Sequence, residues 1–364
     1  MKRALILFIL SISTFLYAYI PTAIPLIRLN PSVQDASLGI ESFSSGLNNI
    51  SPAGFTNNPA RLGELNGVLF ETGSHKYNGG EFAYRSVSVG YKFIGINFTV
   101  PNKRGQTGSS LHYPRAYYAF LNDEVLTEFS PSESKKDVSI GVNASEIFSF
   151  AFNNMFKKEI DLSKINFYYG ISYCSVNAKI FPDFYGINHK ADYTNRSYLA
   201  NYKVLDNLNS KHNLDISAGL ATINSQKAFV RTSDYLPESP LTYGYSYGIS
   251  AKYNRSNDCS KEVPYLRYKS KNLYSIYATV NKGEYCFGEK TFSSGIEINS
   301  FDLLSYRLSY STKNHIKDNL ITHSFGLSHN FAEHYKLSFD YVSKLNNNKY
   351  YFPSQSSFIL GILF

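Results

Sequence analysis

The chain has no tryptophan, two methionines and three cysteines, and charged residues make up only 18% of it, against a usual share of about 25%. So little charge argues against an ordinary soluble enzyme with a broadly solvated surface. Cys174, Cys259 and Cys286 show neither CxxC spacing nor a zinc pattern, which excludes a redox pair and a structural zinc site. A Gly-x-Ser-x-Gly elbow, a phosphate loop and a His-Glu-x-x-His helix are also missing. Nothing local announces an enzyme; only a Ser-His-acid set gathered from separate strands would escape such a reading. The formal charge of +8 comes without a nucleic-acid motif, so nucleic acid is not an expected partner.

Long apolar runs are missing too, apart from one at the start. Met1-Lys2-Arg3 is a basic n-region, Ala4 to Phe15 an apolar h-region, and Leu16-Tyr17-Ala18 a cleavage site, so residues 1–18 read as a signal peptide. The run is short for a spanning helix, which needs about 20 residues, and no Cys follows it as a lipoprotein would require. No later stretch reaches the length of a membrane helix. Membrane residence, if it exists, must be by strands.

What the chain does have is aromatic and alternating. Tyr (31) and Phe (27) supply 16% of the residues, as the girdles of an outer-membrane barrel require; an AT-rich genome would enrich the same residues. Tyr243, Tyr245, Tyr247, Ile249, Ala251 and Tyr253 alternate with Gly244, Ser246, Gly248, Ser250 and Lys252. Comparable alternation runs through Val87 to Tyr91, Ile94 to Val100, Leu304 to Tyr310 and Tyr335 to Tyr341. One bulky apolar face opposite a small polar face is what a lipid-facing barrel strand needs. A soluble β-sandwich also alternates, but it would not end on a bare apolar strand.

The chain closes on such a strand, with Phe358, Leu360, Ile362 and Phe364 on one face. This is the expected lipid face of the last strand, the membrane-insertion signal read by the outer-membrane assembly machinery, and it must pair with strand one near Val68 and Phe70 to leave no edge. Ile359 and Leu363 on the other face favour a plugged or narrow lumen over an open aqueous pore. Strands are expected at 67–76, 82–91, 94–101, 144–154, 165–177, 212–222, 226–233, 243–253, 270–280, 291–300, 303–312, 321–331, 335–344 and 355–364. The fold is therefore all-β, an antiparallel transmembrane β-barrel (66–364) of 14 strands in the bacterial cell outer membrane, or 16 if 112–121 and 137–143 also span. Tight turns at Lys92-Phe93, Phe301-Asp302 and Ala332-Glu333 then fall on the periplasmic side, with long outer loops at 102–143 and 178–211. Cys259 and Cys286 fall on opposite sides, too far apart to bond.

Residues 19–65 are rich in Pro, Ser, Asn and Gly and lack alternation, and Asn58-Pro59 is a helix-start signal. This segment is expected as a plug at or inside the periplasmic mouth. Its sequence, with Asn58-Pro59-Ala60-Arg61-Leu62 at its core, resembles the N-terminal block of PorV/PorQ-type outer-membrane proteins, relatives of the FadL-like channels, with Arg61 in place of the usual Gly. Leu38 to Ser42, Leu214 to Leu220, Gly295 to Glu297, Leu304 to Tyr310 and Phe339 to Tyr341 continue the resemblance in order. It implies a fourteen-stranded barrel that docks or escorts secreted cargo proteins in type IX-like secretion, or alternatively a FadL-like channel for hydrophobic solutes; a surface adhesin or structural barrel is the third reading.

The inward-facing charges are expected to be Glu71, Lys92, Asp215, Lys252, Glu297, Arg307, Lys336 and Asp340. Glu297 should lie across from Arg307 if the hairpin turns at 301–303, and Asp215, Glu297, Arg307 and Asp340 are read as a lumen polar network that holds register or lines a solute path. His323 and His329 share a strand face but stand about 20 Å apart, so no metal site is expected, and no cofactor. The expected partners are outer-membrane lipid, the assembly machinery, and cargo proteins or hydrophobic solutes.

Overall fold

The computed structural model describes residues 32–39, 46, 51–77, 82–101, 117–121, 124–129, 132–145, 147–149, 164–179, 189–206, 211–227, 229–230, 239–256, 272–314, 316–331, 335–345 and 354–363. The expected signal peptide, Cys259, the turn at Ala332-Glu333 and Phe364 lie outside them.

Fourteen antiparallel strands form a closed barrel. They are β1 (Gly67–Tyr77), β2 (Phe82–Tyr91), β3 (Ile94–Pro101), β4 (Ser132–Asn143), β5 (Ile165–Lys179), β6 (His189–Asp206) and β7 (His212–Ile223). The second half comprises β8 (Gly244–Ser256), β9 (Asn272–Tyr285), β10 (Lys290–Ser300), β11 (Leu304–Lys313), β12 (Ile316–Phe331), β13 (Tyr335–Leu345) and β14 (Ser354–Leu363). Each strand pairs with its neighbour in sequence, and β14 closes on β1 with Val68 opposite Ile362 and Phe70 opposite Leu360. Closure satisfies the ladder of every strand, which is what lipid demands of backbone amides.

The pleat sends side chains alternately in and out. Ile249, Phe325, Leu327 and Leu360 stand among the most exposed large apolar side chains, while their sequence neighbours such as Ser250, Ser324 and Ile359 are buried. An outward apolar band on a closed antiparallel barrel fits only hydrocarbon, so the protein is an integral barrel of the bacterial outer membrane. Tyr takes the girdle positions that Trp often fills: Tyr91, Tyr202 and Tyr335 sit on the outer face near the rim where β1 begins and β14 ends, here called the terminal rim.

Two expected strands are replaced. Of the expected strand at 144–154, the described residues 144–145 and 147–149 are helical, and the strand in that place is β4, whose outer face carries Lys136 beside Val138 and Ile140. Nor does 226–233 enter the barrel. Residues 224–226 fold onto β6, Ser225 N donating to Thr194 O at 2.8 Å, and Phe229–Val230 pairs only with Ser239–Pro240. The missing strand is β6, inside the stretch read as an outer loop. The expected loops at 102–143 and 178–211 thus each contain a barrel strand, and β7 runs opposite to the direction expected. The count of fourteen survives because the two replaced strands are offset by two gained, β4 and β6. Residues 117–121 pair with 124–129 in a hairpin separate from the barrel sheet, so sixteen spanning strands are excluded.

The turns at 92–93 and 301–303 lie at the terminal rim as expected. Lys92 (φ 47), Phe301 (φ 57) and Asp302 (φ 54) are left-handed, the conformation that tight hairpins favour because it matches strand twist. Lys92 is exposed there over the Tyr91 ring and does not face the lumen.

Candidate functional site: the plugged lumen

The N-terminal segment sits inside the barrel rather than at its mouth. Helix α1 (Val33–Ser37) is capped by Ser32, whose Oγ accepts from Asp35 N at 3.1 Å, and it packs against β11, β12, β13 and β14. Two 3-10 helices, Pro52–Thr56 and Pro59–Glu64, pack against strands from β1 to β6. Proline at the first position of each starts the turn; Asn58 precedes the second without a side-chain capping bond. Of the motif residues, Asn58, Pro59, Ala60, Arg61 and Leu62 are all buried, so the segment that carries the family resemblance is used internally.

Small residues on the inner wall make room for it. A Cβ added to Gly141 would lie 2.1 Å from Pro59 O, and one on Gly170 would lie 2.3 Å from Pro59 C. Gly90 receives the Phe55 ring in the same way, and Gly295 receives the Leu38 carbonyl. These contacts are closer than any side chain tolerates, so the wall is shaped to the plug's backbone.

Polar groups fix the register of plug and wall. Ser51 Oγ and Ala53 N both donate to Glu71 Oε2, at 2.5 and 3.0 Å. Thr56 Oγ1 donates to Asp137 Oδ1 at 2.6 Å, and Asn97 Nδ2 donates to the other oxygen of that carboxylate at 2.9 Å. Asn195 Nδ2 donates to Thr56 O at 2.9 Å, and Ala60 N to Ser197 Oγ at 2.7 Å. On the far wall, Gly46 O accepts from Ser250 Oγ and Tyr277 Oη at 2.9 and 3.0 Å.

The expected pair of Glu297 and Arg307 is formed: the residues are directly opposite in the ladder, and Arg307 Nε donates to Glu297 Oε2. Arg307 Nη1 also reaches Asp340 Oδ1 at 2.5 Å, and Gln34 Nε2 of α1 donates to Asp340 Oδ2 at 2.8 Å. Charged pairs this deeply buried are tolerated only because each carboxylate is matched. Gln34, Lys336 and Ser338 pack around this cluster beside Arg307 and Asp340 and leave only a narrow cleft.

Asp215 does not belong to the cluster. It lies on β7, three strands from Glu297, and faces Lys252 and Lys203 in the two adjacent ladders. The four residues expected as one network are thus a triad plus a separate carboxylate. Sequence spacing did not single out Glu71 and Asp137 as plug seats; Glu71 shares the inner face of β1 with Leu69, Gly73 and His75, and Asp137 that of β4 with Lys135, Ser139 and Gly141.

An apolar cluster completes the packing. Phe55, Leu62 and Leu65 of the plug meet Leu69 of β1 and Ile359 of β14. Ile359, expected to disfavour a water-filled lumen, is fully buried; it faces plug, not water. In the closing strand, Phe358, Leu360 and Ile362 are exposed on the outer face.

No protein-family model matches the chain, and no curated protein matches it in sequence. Among solved structures it is similar to the toluene transporter TodX of Pseudomonas putida, at 12% identity over 91% of this chain and 96% of that one, with a TM-score of 0.42. It is likewise similar to the toluene transporter TbuX of Ralstonia pickettii (10% identity, 93% and 99% covered, TM-score 0.41) and to the KdgM porin (11%, 64% and 96%, 0.29). All three are transporters or porins by name.

Proposed function

We propose that this barrel is a gated conduit for hydrophobic small molecules, the activity that the names of TodX and TbuX state for those proteins. The observation that carries the reading is an apolar cluster shared by plug and wall at the seam of β1 and β14 (Phe55, Leu62, Leu65, Leu69, Ile359). Such an interior offers an apolar solute a path of low desolvation cost once the plug shifts, while small ions and sugars gain nothing from it. The 3-10 helices of the plug are short and held by individual hydrogen bonds to separate strands, an arrangement that opens locally at less cost than a strand leaves a ladder.

The docking reading keeps less support. The Asn58 to Leu62 motif is buried in the lumen and offers no surface to a cargo protein, so a carrier or adhesin would have to work through its loops.

The test is to tether the plug. Ala60→Cys with Ser197→Cys, in a background without the native cysteines, joins a plug residue to the wall position that its backbone already contacts. Cells that rely on this barrel for uptake of radiolabelled toluene are expected to lose uptake when the bridge is oxidised and regain it on reduction. Uptake unaffected by oxidation, with the bridge confirmed on a gel, overturns the reading; co-purification of secreted proteins in its place would favour the docking alternative.

A further inference from the structure

The connection that follows β4 leaves the sheet in a way that barrel closure does not require. Asn143 Oδ1 accepts from Ser145 N at 3.1 Å. Ser145 Oγ then accepts from Phe167 N at 2.6 Å and donates to Ile165 O at 3.3 Å. One hydroxyl thus satisfies the first free amide and carbonyl of β5, ends the β4–β5 ladder, and lets the chain turn helical. That turn carries Ile147 and Phe148, which are 56% and 54% exposed.

Elsewhere on this molecule, large apolar side chains so exposed stand on the outer faces of the strands, where hydrocarbon covers them. Ile147 and Phe148 are not on a strand, yet the turn that bears them is bonded to Phe167, whose side chain belongs to the lipid face of β5. Their neighbours at the terminal rim continue that face: Tyr202 and Leu205 at the end of β6, and Phe93 in the turn after β2, are all exposed. The apolar band therefore does not stop where the β4 ladder stops.

We propose that the turn after β4 is an in-plane membrane anchor, with Ile147 and Phe148 inserted at the boundary between headgroups and acyl chains in the leaflet at the terminal rim. Its occupant is phospholipid, not a protein. Continuity with the lipid face through Phe167 selects the membrane, because a protein docked there would have to displace the lipid that already covers β5.

The absence of Trp supplies the test, since Phe148→Trp gives the full-length protein a single indole. In phospholipid nanodiscs this indole is expected to emit at blue-shifted wavelength and to be quenched by lipids brominated near the headgroup end of the acyl chain more than by lipids brominated near its tip. Phe325→Trp, on the lipid face of β12, calibrates quenching within the hydrocarbon. Emission like that of indole in water overturns the proposal, and so does a blue-shifted emission that no brominated lipid quenches, which would mark burial against protein. Ile147→Trp repeats the measurement should Phe148→Trp fail to give a folded, heat-modifiable barrel.

Discussion

Arg61 donates to the carboxylate of Asp35 at 3.0 Å, and neither side chain is exposed. The pair joins α1 to the second 3-10 helix, so two pieces of plug that pack on opposite groups of strands are held as one body. A Gly at this position could not hold a buried aspartate. Breaking a buried pair from one side leaves an uncompensated charge and costs about 3–5 kcal/mol. Arg61→Met is therefore expected to free the plug to proteolysis with the barrel intact, and Asp35→Leu combined with Arg61→Met to recover most of the loss. Limited proteolysis of the three proteins in detergent checks this.

Arg307 is the shared partner of Glu297 and Asp340, and through Asp340 it meets Gln34 of the plug. Arg307→Leu strands two buried carboxylates and is expected to lower the temperature at which the heat-modifiable band converts. Gln34→Ala, which removes only the plug's share, should leave that temperature within a few degrees of the parent. Equal losses from both variants would show that the triad serves the plug and not the wall.

Gly141 and Gly170 meet the Pro59 backbone at distances that no Cβ accepts. Because the opposing atoms are main chain, they cannot rotate away. Gly141→Val is expected to unseat the second 3-10 helix while the strands still pair, so single-channel conductance in planar bilayers should rise from near zero to that of an open lumen. Unchanged conductance with normal assembly would mean that the plug accommodates the methyls.

Burial pushes the Glu64 carboxyl above its usual value of 4.5, against the opposing pull of Arg61, a hydrogen bond from Asn201, and Lys252. A carboxyl raised in the folded state binds more protons folded than unfolded, so its contribution favours docking below the usual value and weakens it as pH rises through the raised value. Plug protection from protease is expected to decline as pH rises above the usual carboxylate value of 4.5, and Glu64→Gln to flatten that decline. A steeper slope in the variant would reverse the assignment.

On the outer face, Leu360 stands opposite Phe70 across the closing seam. An arginine at mid-band on a barrel's lipid face costs about 2–4 kcal/mol. Leu360→Arg should reduce assembled barrel in the outer membrane and raise the unfolded band, whereas Ser357→Arg, on the inner face, should act through the plug instead.

Much of the barrel was legible because lipid imposes a period of two on the residues that face it. Tyr245 to Tyr253 and Leu304 to Tyr310 fall on strands β8 and β11 with their large apolar residues on the outer face. β6 was invisible for a physical reason: its outer face carries Lys190, Asp192, Thr194 and Arg196 before Tyr198, and Thr194 is covered by the turn after β7. A strand without a bulky face gives no alternation to read. Conversely, the stretch read as a strand from 144 begins as a helical turn, because Ser145 takes the bonds that β5 would have offered. The Glu297–Arg307 pair followed from one turn and a period; Asp215 was misgrouped because it stands three strands round the wall from Glu297, although the ladders put the two in one row. The plug's seat rests on glycines at inner positions, and nothing in a single sequence distinguishes such a glycine from one that merely fills a strand.

The plug's earliest residues touch the last strands made, and its later residues touch the first. Helix α1 lies on β11 to β14, the 3-10 helices on β1 to β6, and the seam between β14 and β1 is covered from within by Phe55, Leu62 and Leu65. Such contacts span nearly the whole chain, and contacts of that separation form late. The 3-10 helices can settle as the first strands fold, but α1 has no bed until β14 is in place. A barrel lacking its final strand therefore leaves α1 without its seat, and the plug is complete only when the wall is.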